Sequence, residues 1–115
     1  MPVATRYIFV VSMDVEPDKE ALFNEVYDKE HIPFISQVPG VRGAYRMQGE
    51  DFRMQLGGDV QVKKHDGPRY TAVYEIDSPD VLMSPEWAKQ AEKGRWPGEV
   101  RPFTKNRRHA IYRIR

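Results

Sequence analysis

The sequence contains no cysteine, which excludes a disulfide framework, a thiolate nucleophile and any Cys-ligated zinc or iron–sulfur site. It also lacks a phosphate-cradling glycine loop. The pair Gly57-Gly58 sits between strand-like runs rather than ahead of a helix, and Gly40 and Gly43 are isolated. There is no HExxH pattern and no EF-hand loop. The three histidines, His31, His65 and His109, are never four apart, so no local metal site is expected. No stretch approaches the roughly 20 apolar residues of a membrane span. The opening Met1-Pro2-Val3-Ala4-Thr5-Arg6 lacks the charged-then-apolar layout of a leader. The resulting expectation is a cytoplasmic protein with no membrane contact.

Net charge is also scarce, at +1 over 115 residues, but it is unevenly spread. Residues 89–115 hold nine Lys/Arg against Glu92 and Glu99, so this stretch carries +7 and the rest of the chain −6. A basic tail on a near-neutral chain points to an anionic ligand or an acidic protein surface ahead of nucleic acid, and a head-to-tail match between two copies would use both halves.

What is present reads as one domain over residues 1–115, long enough to fold without staples. Residues 6–15 (RYIFVVSMDV) form the clearest strand. Tyr7, Phe9, Val11 and Met13 alternate with Ile8, Val10 and Ser12, so both faces are largely apolar. A sheet backed by helices on one side needs only one apolar face. The second face therefore predicts a covering partner, and a second copy of the chain is the simplest one. Glu16-Pro17-Asp18 opens a helix with proline early and acids at the positive end of the dipole. Leu22, Phe23, Val26 and Tyr27 share one stripe, with Glu30 near its middle and His31 at its edge. Pro33 predicts a kink or an end around His31.

Residues 41–48 (VRGAYRMQ) alternate as a second strand. Residues 52–56 and 60–62 flank Gly57-Gly58 as a protruding β-hairpin, and residues 70–76 (YTAVYEI) form the third main strand. The Ser78-Pro79-Asp80 and Ser84-Pro85-Glu86 triplets are helix starts. The helix is expected to bury Trp87, Ala88 and Ala91 and to stop at Gly94. Trp96-Pro97-Gly98 reads as a turn, residues 99–106 as an irregular loop, and residues 107–115 as the last strand. The order β-α-β-(hairpin)-β-α-β is the split βαβ pattern of ferredoxin-like α+β folds with an antiparallel sheet.

The first site candidate is His31, in Tyr27-Asp28-Lys29-Glu30-His31-Ile32-Pro33. Its ordinary pKa suits acid–base work near neutrality, and Glu30 or Asp28 is placed to orient it. The structural alternative is that His31 caps the broken helix through freed carbonyls while Glu30 pairs with an arginine. Tyr7, Tyr45, Tyr70, Tyr74 and Tyr112 lie on strands, so several are candidates for a ligand-binding wall on the face away from the helices. The alternative is plain strand packing. Trp87 reads as core, Trp96 as a pocket lid or a subunit contact. The tail arginines are either a substrate-carboxylate site or a solvated surface. His65 lies in a polar turn, and His109 is ambiguous.

The run Phe23-Asn24-Glu25-Val26-Tyr27-Asp28-Lys29-Glu30-His31-Ile32-Pro33, closing at Val38-Pro39-Gly40-Val41, resembles the histidine-bearing stretch of the dimeric α+β barrel superfamily, in the manner of its EthD-like branch. Lys93-Gly94-Arg95-Trp96-Pro97 resembles a segment of the same group. Val26 stands where tryptophan is usual. The resemblance implies a homodimer whose sheets close a barrel, a pocket between each sheet and its helices, and His31 as the acid–base residue. The first reading is a cofactor-independent cyclase, isomerase or dehydratase acting on a small aromatic or polyketide-like carbonyl compound. Tyr7, Tyr27, Tyr45, Tyr70 and Trp96 would then be substrate-binding. A non-catalytic binding or scaffold dimer is the alternative, and a haem-binding or haem-degrading relative with His31 or His109 as axial ligand is a third. Fold alone does not choose among these.

Overall fold

In the computed structural model, which describes residues 5–115, six strands and three α-helical segments follow in the expected order. Met1–Ala4, read above for a leader, lie outside the described residues. Strand β1 is Tyr7–Val15, and a single 3-10 turn at Pro17–Lys19 leads into helix α1, Glu20–Val26. A π turn, Tyr27–His31, joins α1 to helix α2, Ile32–Ile35. Strand β2 is Val41–Gln48; β3 (Phe52–Leu56) and β4 (Asp59–Lys63) make the hairpin; β5 is Tyr70–Ile76. A 3-10 turn at Pro79–Met83, helix α3 at Pro85–Ala91 and strand β6 at Thr104–Arg113 complete the chain.

The main sheet has the order β2-β5-β1-β6, with every neighbour antiparallel. The first and third main strands sit in the centre, which is the ferredoxin-like arrangement. One face of the sheet is covered. There Val11, Met13, Tyr70, Ala72, Tyr74 and Ile76 pack against Phe23, Val26, Tyr27, Ile35 and Trp96. The cross-strand pairs Val10↔Val73, Ser12↔Thr71 and Val10↔Ala110 place the alternate residues on the other face. On that face no helix of the described residues is packed; Val73 and Glu75 are buried there, while Tyr45, Met47 and Tyr112 stay 43%, 49% and 60% exposed.

The hairpin forms a separate two-stranded sheet turned by Gly57 and Gly58, both at positive φ (63° and 89°), which glycine adopts without steric cost. All of β3 is exposed, including Phe52, Met54 and Leu56.

Three expectations about the later elements are corrected, whereas the irregularity expected around His31 is there as a π turn: the Ile32 N–H reaches back five residues to the Tyr27 carbonyl, and the helix runs on through Pro33 to Ile35. A proline ring collides with the carbonyl four residues before it in a regular helix, and the wider π turn opens that space. In the last helix Ala88 is exposed and Trp87 and Ala91 are only half-buried, and the helix ends at Ala91, short of Gly94. Residues 99–106, expected as an irregular loop, are regular: a π turn at Trp96–Val100 passes into a 3-10 turn at Arg101–Phe103 and then into the last strand. The last strand begins three residues early, at Thr104, through a β-bulge opposite Met13.

Candidate functional site

The π turn is what brings the histidine inward. One extra residue in that turn delays the helical phase, so His31 takes the inward direction that regular α periodicity would give Glu30. His31 is 8% exposed. Its ring stacks on Trp96 at 4.6 Å and 27°, and meets Tyr27 edge-on at 5.1 Å. Tyr27 and Trp96 are themselves edge-on at 4.9 Å.

Glu30, displaced toward the surface, grips the second segment. Its Oε1 accepts the Arg95 backbone N–H at 2.9 Å and its Oε2 accepts the Arg95 Nε–H at 2.6 Å. Glu25 takes a further Arg95 N–H at 3.1 Å. These bonds hold the Glu30 carboxyl below the usual carboxylate range, the Arg95 backbone N–H first and its guanidinium second. The chain must pass close here: at Gly94 (φ +71°) any side chain would overlap the Glu30 carboxylate. The Glu30–Arg95 clasp thus fixes the residue before Trp96 and, through it, the ring that stacks on His31. Asp28 faces elsewhere, accepting from Arg46 at 2.8 Å.

These rings wall a cavity of about 190 Å³ between the sheet and the helical layer. Phe9, Val11, Met13 and Tyr74 form its floor, Tyr27, His31, Trp87, Ala91 and Trp96 its other walls, and Arg101, Arg107 and His109 contribute its polar side. The Tyr27 and Tyr74 hydroxyls lie 3.4 Å apart, and burial raises the pKa of both phenols, so both are protonated at neutral pH. Burial, helped by the Arg101 charge, pushes the His31 pKa down to about 4 despite the opposing pull of Glu92. The imidazole is therefore neutral at pH 7. Its buried Nδ1 has no hydrogen-bond partner among the described residues, so the ring does not cap the helix. Arg101 itself is engaged by both oxygens of Glu92.

Of the residues singled out in the sequence, the structure brings together His31, Tyr27, Tyr74, Trp96 and His109; Tyr7, Tyr70 and Tyr74 lie on the helix-covered face, not on the face away from the helices expected for the strand tyrosines. Tyr7 packs at the edge of the core, outside the cavity. Tyr45 lies on the open face of the sheet. Tyr70 points to the far end of the helical layer, where its hydroxyl donates to Glu20 and its ring meets Phe23 at 5.1 Å. Sequence reasoning placed Trp87 in the core and left Arg101 and Arg107 among the tail charges; all three line the cavity, and Trp96 is the buried tryptophan. The strand alternation Arg107, His109 opposite Met13 and Val11 carried the signal. It was hidden by the bulge, which moved the strand's start.

No family model and no curated protein matches the sequence. Solved structures do match. An ethyl tert-butyl ether degradation (EthD) family protein from Bacillus halodurans C-125 superposes with a TM-score of 0.57 at 13% identity, covering 95% of this chain and 99% of the other. A variant of MhuD with two manganese protoporphyrin IX molecules per active site gives 0.59 at 12% identity, covering 94% and 93%. The haem degrader MhuD from Mycobacterium tuberculosis, with two haems in its active site, gives 0.53 at 13% identity, covering 94% of each chain. The likeness shows a ferredoxin-like α+β fold with an antiparallel sheet. At these identities the likeness carries the fold and leaves the chemistry to the site. Among the described residues no helix is long and apolar enough to cross a membrane, and no group of His, Asp and Glu side chains is gathered to hold a metal.

Proposed function

We propose that the cavity binds a small, one-ring aromatic or polyketide-like carbonyl compound and that His31 moves a proton at the carbon next to the carbonyl, with the chain working as a homodimer without a cofactor. The observation that carries this reading is the buried, neutral, unpartnered imidazole of His31 beside two protonated phenols in an aromatic cavity. A neutral imidazole accepts a proton, but at a pKa of about 4 it is a weaker base than the near-neutral histidine expected from the sequence. One of the paired Tyr27 and Tyr74 hydroxyls donates to the other, which leaves the second O–H to donate to the ligand's carbonyl oxygen as it takes up charge. Size supports a single ring: a cavity of roughly 150 Å³ holds benzene, and this one measures about 190 Å³.

The same volume weighs against haem. Sites for drug-sized ligands begin at roughly 300 Å³, and a porphyrin is larger than the space left by Trp87, Trp96 and Tyr74. His109 sits on the exposed edge strand with its ring 6.0 Å from Phe9. The residues of this cavity do not fit the group that MhuD holds.

The two tryptophans of the chain both line the cavity, so their fluorescence reports occupancy directly. Aryl methyl ketones and short β-dicarbonyl compounds are incubated with the protein in D₂O, and deuterium uptake at the carbon next to the carbonyl is followed by NMR. Wild type should exchange on the order of 10²-fold faster than His31→Ala, a usual share for a positioned base. The acid limb of kcat/KM should fall near pH 4, not near 6.5. Fluorescence quenching without exchange would leave a binding protein, the second reading. No quenching and no exchange would remove the ligand site altogether.

A further inference from the structure

Resting on that reading of the cavity, the geometry points to a ligand that carries a carboxylate, with Arg107 as the residue that selects it. Among the described residues the cavity lining holds no acidic side chain: its charged members are Arg101 and Arg107, beside His31 and His109. Arg101 already has its counter-charge, since Glu92 accepts from both of its terminal nitrogens. Arg107 has none: no ion pair or hydrogen bond holds its guanidinium among the described residues. Itself exposed, it is the lining cation with no counter-charge among the described residues, and a guanidinium matches a carboxylate through two parallel N–H bonds.

Its position is built, not incidental. Strand β6 pairs with β1 as Ser12↔Arg108 and then as Asp14↔Lys105, so Asn106 and Arg107 together oppose Met13. That is a β-bulge, a device that re-aims a side chain beside a site. Asn106 carries the strain as the single non-glycine residue at positive φ (57°) among those described, a conformation asparagine tolerates better than most. Asp14 secures it: one carboxylate oxygen accepts the Asn106 amide N–H at 2.8 Å and the other the Arg69 backbone N–H at 2.8 Å. These bonds, the Arg69 N–H foremost, hold the Asp14 carboxyl below its ordinary range. Asp14, which borders the same recess as Arg107, is thereby committed to the bulge. Arg107 also borders a neighbouring polar recess of about 400 Å³, formed with Asp14, Gly67, Pro68, Asn106 and Arg108. It has room to swing toward a ligand without losing solvent.

The test uses benzoate and its neutral isostere benzamide, titrated into the full chain with tryptophan fluorescence as readout and circular dichroism as the check on folding. Wild type should bind benzoate at least about tenfold tighter than benzamide, the scale of one charge-assisted bond. Arg107→Gln should abolish that preference by weakening benzoate alone, Arg107→Lys should keep part of it, and benzamide should bind all three alike. Equal binding of both probes to wild type overturns the carboxylate inference and leaves the cavity reading standing. A preference that survives Arg107→Gln also overturns the inference, transferring selection to Arg101. No binding of either probe to folded wild type removes inference and cavity reading together.

Discussion

The two faces of the main sheet start from similar sequence and end in opposite conditions. On the covered face Val11, Met13, Ala72, Tyr74 and Ile76 are buried beneath Phe23, Val26, Ile35 and Trp96. On the open face Val10, Val73 and Ala110 form a cross-strand row flanked by the exposed Tyr45, Met47 and Tyr112. Chain-internal packing satisfies the first and leaves the second to be covered from outside. The site belongs to the covered face, where aromatic rings exclude water from the His31 imidazole. The open face supports the proposal of a second copy, since apolar rows of this extent on a lone protomer mark interaction surfaces.

The largest effect should come from the covered face. Phe23 is fully buried, edge-on to Tyr27 at 5.3 Å and close to Tyr70 and Trp96. Phe23→Ala should cost about 3–5 kcal/mol of unfolding free energy, as expected for an aromatic removed from a packed core. Urea denaturation measures it directly. A loss below about 1 kcal/mol would mean that the covered face is no better packed than the open one.

Next is the pH response of the buried histidine. Because the folded pKa of His31 is depressed to about 4 from 6.5, the unfolded chain binds more protons between those values. Stability therefore rises with pH across that window and is lost as pH falls from about 6.5 to 4. The difference corresponds to on the order of 3 kcal/mol. His31→Phe should flatten this part of the pH–stability curve while leaving the fall below pH 4 that belongs to Asp14, Glu92 and the other hydrogen-bonded carboxylates. An unchanged slope in His31→Phe would show that the imidazole is not held neutral by burial.

Much of this comparison was legible in the sequence. The strand residues 6–15, 41–48 and 70–76 were bounded to within about a residue because alternation of β-branched and aromatic side chains is a short-range signal. The hairpin was legible for the same reason, with the double glycine marking its turn. The apolar second face of β1 was visible too. What did not show were two changes of phase, each produced by one inserted residue. The π turn at Tyr27–His31 exchanges the directions of Glu30 and His31, and the bulge at Asn106 and Arg107 shifts the last strand. Periodicity assumes an unbroken count, so an insertion of one residue is invisible to it until contacts are known. The helical run at 96–103 was hidden by Pro97, Gly98 and Pro102, all poor helix formers, and is held by tertiary packing of Trp96 and Val100.

The open face gives a smaller effect on each protomer and a large one on assembly. Val10→Lys places a charge in the middle of the apolar row. Sedimentation should show wild type at twice 13.4 kDa, and the variant shifted to the single-chain mass, with association weakened at least about tenfold. Tryptophan fluorescence should not change, since Trp87 and Trp96 lie on the covered face. A monomeric wild type at micromolar concentration would remove the proposal of a second copy.

The hairpin should respond least, and it tests whether exposure alone predicts coupling. Phe52, Met54 and Leu56 are as exposed as the open-face residues, at 54%, 39% and 49%, but they lie on a separate two-stranded sheet whose partners are one another. A hairpin of this kind has no core of its own to lose. Leu56→Ser, beside the Gly57-Gly58 turn, should change unfolding free energy by less than about 0.5 kcal/mol, the usual range for surface substitutions. It should also leave the sedimentation of wild type unchanged. If Leu56→Ser shifted the dimer toward the single chain as Val10→Lys does, the hairpin would be part of the same interface, and the apolar surface supplied to the second copy would extend beyond the open face into the arm that follows β2.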